Sequence, residues 1–179
     1  EQVETEIGGE KISGEYDLIL DDKVDDIKSA SPWSYRNKWL DGKHIEENDS
    51  FGYVGQLTTY AKATNTEPGG WWVINHSSGE FKYIPYMSDP VEVTKKLAHT
   101  VTTIKENKFV RCFKPIKEMF RGTHTGNYIL GTECKFCSFK QACWGDQLTE
   151  EPSRVSSAKI KPTVFYIDNQ KGEITYDKN

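Results

Sequence analysis

Two aspartates, a lysine, a glutamine and a tyrosine occur in an order that suits hydrolysis of a phosphodiester. They are Asp17, then Asp26 and Lys28 two residues apart, then Gln56 and Tyr60 four residues apart. Grouped carboxylates form a hard oxygen site for Mg²⁺ or Mn²⁺, a cation that lowers the pKa of water and offsets phosphate charge. An ammonium beside them can orient that water and neutralise the pentavalent state. Side chains alternate along a strand, so Val24, Asp26, Lys28 and Ala30 share one face and Asp25, Ile27 and Ser29 the other. Ile27 is therefore expected to back into the core, its carbonyl completing an oxygen set with Asp17 and Asp26. One helical turn separates Gln56 from Tyr60, with Tyr53 extending their face, while Val54, Leu57 and Ala61 form a separate apolar stripe. Gln56 suits a hydrogen bond to substrate or metal shell, and Tyr60 suits a phosphate or a base. Each piece alone has an ordinary reading, since Asp-x-Lys decorates many exposed strands and a lone tyrosine is usually a core aromatic. The order of all three carries the inference.

A second cluster is Cys134-x-x-Cys137-x5-Cys143, with Lys135, Ser138 and Lys140 among the thiols. Such polar company argues for metal ligation over burial of small hydrophobes. Zinc takes four cysteines or three plus a histidine, and an iron–sulfur cluster takes four thiolates. Spacing leaves both open; Cys112 is the candidate fourth thiol and His124 the zinc alternative. Lys105, Lys108, Arg111, Lys114, Lys117 and Arg121 interleave with Phe109, Phe113 and Phe120. That pattern fits either a nucleic-acid track or a solvated helix face over core phenylalanines. Trp33, Tyr35 and Trp39, just after the Asp-x-Lys strand, are better placed to touch a strand end.

These residues need a scaffold. Val3, Thr5 and Ile7 alternate with Gln2, Glu4 and Glu6 as an edge-type strand ending at Gly8-Gly9. Ile12 to Leu20 and Val24 to Ala30 read as two further strands about an Asp21-Asp22-Lys23 turn, the three forming a meander. An aromatic loop follows, and Asp49-Ser50 caps a helix from about Phe51 to Ala63. Trp71 to Ile74 reads as a strand covered on both faces, paired with Phe81 to Tyr86. Asp89-Pro90 starts a helix reaching about Asn107, with Val93, Leu97, Val101 and Ile104 on one face. Beyond Trp144, a polar linker from Glu150 to Lys161 leads to a hairpin of Val164–Ile167 and Ile174–Tyr176, turning at Asn169 and Gly172. The expected fold is α+β, a central mixed sheet flanked by helices. Residues 1–149 form the core with its cysteine site, and 150–179 the linker and hairpin.

The 179 residues suffice for a real core, and no apolar run reaches membrane-spanning length. A net charge of −4 excludes wholesale attraction to nucleic acid, so DNA contact needs a local basic patch or a bound metal. Four cysteines, three of them clustered, fit metal ligation in a reducing, cytoplasmic compartment. The chain opens at Glu1 rather than Met, which leads us to expect a trimmed front segment.

From Ile12 to Tyr60 the chain resembles the PD-(D/E)XK nuclease superfamily in its RecB-type branch. Gly14-x-x-Asp17, Asp26-Ile27-Lys28 and Gln56-x-x-x-Tyr60 carry the match. Asp26 to Ser31 and Phe51 to Leu57 look especially like phage-encoded exonucleases. The resemblance implies a restriction-endonuclease-like core and metal-dependent DNA cleavage, more from an end than internally, with Asp17 and Asp26 as ligands and Lys28 assisting the nucleophile. It also implies DNA contacts by Gln56 and Tyr60, partners in replication or recombination, and a host-cytoplasmic setting. Members of this branch hold a [4Fe–4S] cluster with a similar C-terminal triplet and one upstream cysteine, which favours iron–sulfur over Zn²⁺ and Cys112 or a preceding cysteine as fourth ligand. They also take a His or Glu ligand from a front helix; Glu4 or Glu6 would be the substitutes here. The rival function is a non-catalytic nucleic-acid binding module with a structural zinc site.

Overall fold

The computed structural model describes residues 1–106, 108 and 111–168, which divide after Lys108 into two compact units. The chain is α+β, as expected. Among the described residues no helix is long and apolar enough to cross a membrane.

The first unit opens with a hairpin, β1 (Gln2–Ile7) and β2 (Glu10–Glu15), turning through Gly8 and Gly9 at positive φ. Next come β3 (Leu18–Leu20) and β4 (Lys23–Ala30), joined by Asp21 and Asp22, both left-handed as a two-residue hairpin turn requires. The expected meander is thus broken at Tyr16–Asp17: among the described residues β1 and β2 pair only with each other, and β3 enters a second sheet. Two short helices replace the expected aromatic loop, α1 (Pro32–Asn37) and α2 (Gly42–Glu47), capped by Ser31 and Asp41. Helix α3 (Tyr53–Thr64) starts after Gly52, and both Asp49 carboxylate oxygens accept from its first amides, those of Tyr53 and Val54.

Strands β5 (Glu67–Asn75) and β6 (Phe81–Pro85) complete a sheet ordered β3-β4-β5-β6, in which β4 and β5 run parallel. Helix α4 (Pro90–Lys105) begins as expected, with Asp89 accepting from the Val91 amide and Pro90 in its first turn. One face of the sheet carries the core: Val24, Ala30, Trp71, Val73 and Ile84 meet Val54, Leu57, Tyr60 and Ala61 of α3, with Trp39 and Ile45. The other face is thinly covered. Ile74 is exposed and Trp72 half-buried, so β5 is not enclosed on both sides. Ile27 is 47% exposed and does not back into the core, because the packed helix and aromatic cluster lie on the Asp26 side.

In the second unit, β7 (Ile116–Phe120) and β8 (Thr123–Ile129) are followed by α5 (Thr132–Phe136), α6 (Lys140–Trp144), β9 (Leu148–Pro152) and β10 (Thr163–Ile167). They form an antiparallel sheet ordered β7-β8-β10-β9. The stretch expected as a linker opens instead as β9, which supplies the hairpin partner of β10. Ile174–Tyr176, Asn169, Gly172 and Phe109 lie outside the described residues. The small core of Leu130, Trp144 and Ile167 is supplemented by a buried polar knot. Glu118 accepts from Thr125, Asn127 and Tyr166, at 2.8, 2.8 and 2.7 Å. Burial pushes its carboxyl up, but these three donors and the Arg154 charge together outweigh it and hold the pKa below the usual value.

Candidate active site

Strand β4 places Asp26 and Lys28 on its core-side face, next to Trp71 and Val73 of β5 in register. Asp26 is 4% exposed, and the Lys28 ammonium meets its Oδ2 at 2.6 Å. From Lys28 the chain of contacts continues into α3. Lys28 Nζ donates to Gln56 Oε1 at 3.0 Å, and Gln56 Nε2 donates to the Tyr60 hydroxyl at 3.0 Å. The four residues picked out by spacing in the sequence are therefore one continuous polar line, running from the sheet across the helix.

Asp17 reaches the same place from the break between β2 and β3. Its Oδ2 accepts the Ile27 amide at 2.6 Å, which fixes the carboxylate against β4. Asp17 is close enough to Asp26 to raise that residue's pKa through both charge and hydrogen bonding. Burial is the largest cause of the upward shift, and Lys28 opposes it without cancelling it. A desolvated carboxylate with a second carboxylate at its side is the electrostatic situation a bound divalent cation relieves. The donor chemistry of Asp17 and Asp26 fits Mg²⁺ or Mn²⁺. Ile27 contributes its amide to Asp17, with its side chain outward. Among the described residues no three or more His, Cys, Asp or Glu groups stand together closely enough to hold a metal ion. Glu4 is ion-paired with Lys11 on the β1–β2 hairpin.

Two further residues complete this site: Tyr53, which helical spacing put on the Gln56–Tyr60 face, and Gly14, whose packing role spacing alone does not reveal. Tyr53, at the start of α3, places its ring 5.0 Å from Lys28 Nζ; burial raises its hydroxyl pKa, with Lys28 opposing and Asp49 and Asp26 adding to the rise. Gly14 lies under Tyr60, where an added Cβ would stand 2.6 Å from Cε1 of that ring. The glycine of Gly14-x-x-Asp17 thus makes room for the tyrosine of Gln56-x-x-x-Tyr60. Gly14→Ala is expected to displace Tyr60, break its bond to Gln56 and cost about 1–3 kcal/mol of stability by overpacking. Urea melts together with a cleavage assay check this, and an unchanged pair would mean that β2 shifts at no cost.

The neighbouring Asp25 points to the opposite face and has a different task. It is 2% exposed and accepts from Trp72 Nε1 at 2.9 Å and the Tyr83 hydroxyl at 3.3 Å. Burial, then the Asp25 charge and hydrogen bond, push Tyr83 up to about 12. A bulge places Gly69 where its Cβ would collide with the Asp25 carboxylate, so the glycine is required for this clasp between β4, β5 and β6.

The aromatics after β4 divide. Trp39 is buried in the core and cannot touch a ligand, Tyr35 packs its ring 4.3 Å from Lys82 Nζ, and Trp33 stands exposed. In the second unit, burial raises Cys134 first, and the Cys143, Cys137, Glu133 and Cys112 charges add to it. Cys143 is raised by burial and by Cys137 and Cys112, against the pull of Arg111. Cys134 and Cys143 thus lie within electrostatic reach of each other and of Cys137 and Cys112, but among the described residues the thiols do not stand together as a metal-holding group. His124 is engaged elsewhere, its Nε2 with the Asn127 carbonyl at 3.1 Å and its ring against Tyr128. Lys114, Lys117 and Arg121 flank or lie on the edge strand β7 and not on a helix.

No protein-family model matches the chain, and no curated protein or solved structure shows significant similarity to it.

Proposed function

We propose that the first unit is a divalent-metal-dependent deoxyribonuclease that hydrolyses DNA phosphodiesters. The observation carrying this reading is the unbroken line Asp26–Lys28–Gln56–Tyr60 with Asp17 beside its acidic end. Mg²⁺ or Mn²⁺ held by Asp17 and Asp26 would offset charge on the phosphodiester and make water a stronger nucleophile. Lys28 orients the attacking water and takes up negative charge gained by the phosphoryl oxygens. Gln56 holds that ammonium in place through its oxygen while its nitrogen donates to the hydroxyl of Tyr60, whose ring is buried in the core over Gly14, so that the task of Tyr60 is to position Gln56. A bare surface salt bridge would need none of this support. The test is nicking and end-degradation of labelled DNA with Mg²⁺, Mn²⁺ or EDTA; no metal-dependent product would remove the reading.

Cys134, Cys137, Cys143 and Cys112 are proposed to hold a structural [4Fe–4S] cluster, in a reducing compartment such as the cytoplasm. Support comes from the electrostatic reach of Cys134 and Cys143 to each other and to Cys137 and Cys112, and from Arg111, which donates to the Cys143 carbonyl at 3.0 Å and offsets thiolate charge. Anaerobically purified protein is expected to be brown with broad visible absorbance. Colourless protein carrying stoichiometric zinc would replace iron–sulfur by Zn²⁺ at the same ligands.

A further inference from the structure

From the last turn of α5 to the first residue of α6 the chain reads Lys135-Phe136-Cys137-Ser138-Phe139-Lys140, a near-palindrome about Cys137-Ser138. The two phenylalanines are 71% and 67% exposed, among the barest large apolar side chains described. Single exposed hydrophobes need no explanation, but two bare rings three residues apart, each beside a lysine, form a pattern. This stretch is also pinned. The Cys137 amide donates to the Cys134 carbonyl at 3.1 Å, the Phe139 amide to Cys137 Sγ at 3.4 Å and the Lys140 ammonium to the Cys137 carbonyl at 3.3 Å. The Cys143 amide closes it onto the Phe139 carbonyl at 2.9 Å. Rings presented on an ordered loop lose little freedom when a ligand stacks on them.

Charge selects the ligand class. Residues 1–108 carry 12 Lys and Arg against 19 Asp and Glu, a net of −7, whereas residues 109–179 carry 11 against 8, a net of +3. The phenylalanines thus stand in the cationic unit of an acidic protein. Flat apolar rings, with the Lys135 ammonium 5.9 Å from the Phe136 ring and Lys140 next to Phe139 in the chain, match a polymer of π-faces and phosphates. Bases of a duplex cover one another's faces, so the match is to a single strand.

We infer that Phe136 and Phe139, with Lys135 and Lys140, form a docking surface for single-stranded nucleic acid. The choice of partner rests on the nuclease reading, but the test does not need cleavage. Anisotropy of a labelled oligothymidylate of about 15 nucleotides, titrated with the full chain in EDTA, should show binding tighter than to the matching duplex. The F136A/F139A double variant should weaken it by roughly thirtyfold or more with an unchanged circular dichroism spectrum. K135Q/K140Q should lower the salt slope by about 1.4, two phosphate contacts' worth. No binding of the oligonucleotide, equal affinity for the duplex, or unchanged affinity in the phenylalanine variant would each overturn the inference. Metal-dependent nicking that persists beside such a result would leave the nuclease reading standing, and Phe-dependent binding without nicking would fell the nuclease reading alone.

Discussion

Asp26→Asn is expected to abolish metal-dependent cleavage and at the same time yield a more stable protein at neutral pH. The argument starts from burial. Asp26 stands at the edge of the core, and desolvation together with Asp17 holds its pKa above the ordinary 3.8 despite the Lys28 ammonium. The native state therefore binds more protons than the unfolded chain from that value upward, so stability falls as pH rises through the window. Asparagine keeps the shape and carries no charge. In metal-free buffer D26N should melt higher than the parent near pH ~7, and the gain should vanish below the ordinary carboxylate range. Mg²⁺ or Mn²⁺ should then raise the parent's melting temperature and not the variant's, because a ligand of the native state stabilises it by mass action. Asp26→Ala should also be inactive yet folded. Cleavage retained in either variant would sink the assignment of Asp26. A loss of stability in D26N would make the Lys28 pair a structural one.

Local rules made much of the scaffold legible. Gly8-Gly9 and Asp21-Asp22 take the left-handed turns their types favour, and Asp49 and Asp89 accept from the first amides of α3 and α4. The site was legible for a related reason: periods of two and four are geometric, and they bring Asp26 to Lys28 and Gln56 to Tyr60 whatever surrounds them.

What escaped depends on tertiary context. No proline and no turn dipeptide stands at Tyr16–Asp17, so nothing local marks it as the point where the chain changes sheets. Ser31-Pro32 and Asp41-Gly42 are helix-start signals, but each opens a helix of 6 residues, too short to display an apolar period. Parity assigns Ile27 to the face opposite Asp26 but cannot say which face the helices cover. The pairing of Gly14 with Tyr60 is invisible to spacing, since it joins residues far apart in sequence through the space one lacks and the other fills.

Lys28→Ala is expected to lower turnover far more than it weakens binding of DNA. Lys28 is the joint of the polar line: its ammonium touches Asp26 at 2.6 Å and Gln56 at 3.0 Å and lies over the Tyr53 ring. Ground-state phosphates meet many groups, whereas the extra negative charge of the transition state develops where this ammonium stands, and only such differential contacts raise turnover. Losing one preorganised donor of this kind costs roughly a hundred- to a thousandfold in turnover. Gln56 then loses the partner that holds its carboxamide, so the Tyr60 hydroxyl is freed as well, and Gln56→Ala in the Lys28→Ala background should add little. Lys28→Arg should restore only part of the rate, because a planar guanidinium cannot occupy the slot that a compact ammonium shares with Asp26, Gln56 and the Tyr53 ring. Single-turnover cleavage at saturating Mn²⁺, beside oligonucleotide binding in EDTA, separates the two effects. Equal losses in both would reduce Lys28 to a binding residue, and additive losses in the double variant would break the line into independent contacts.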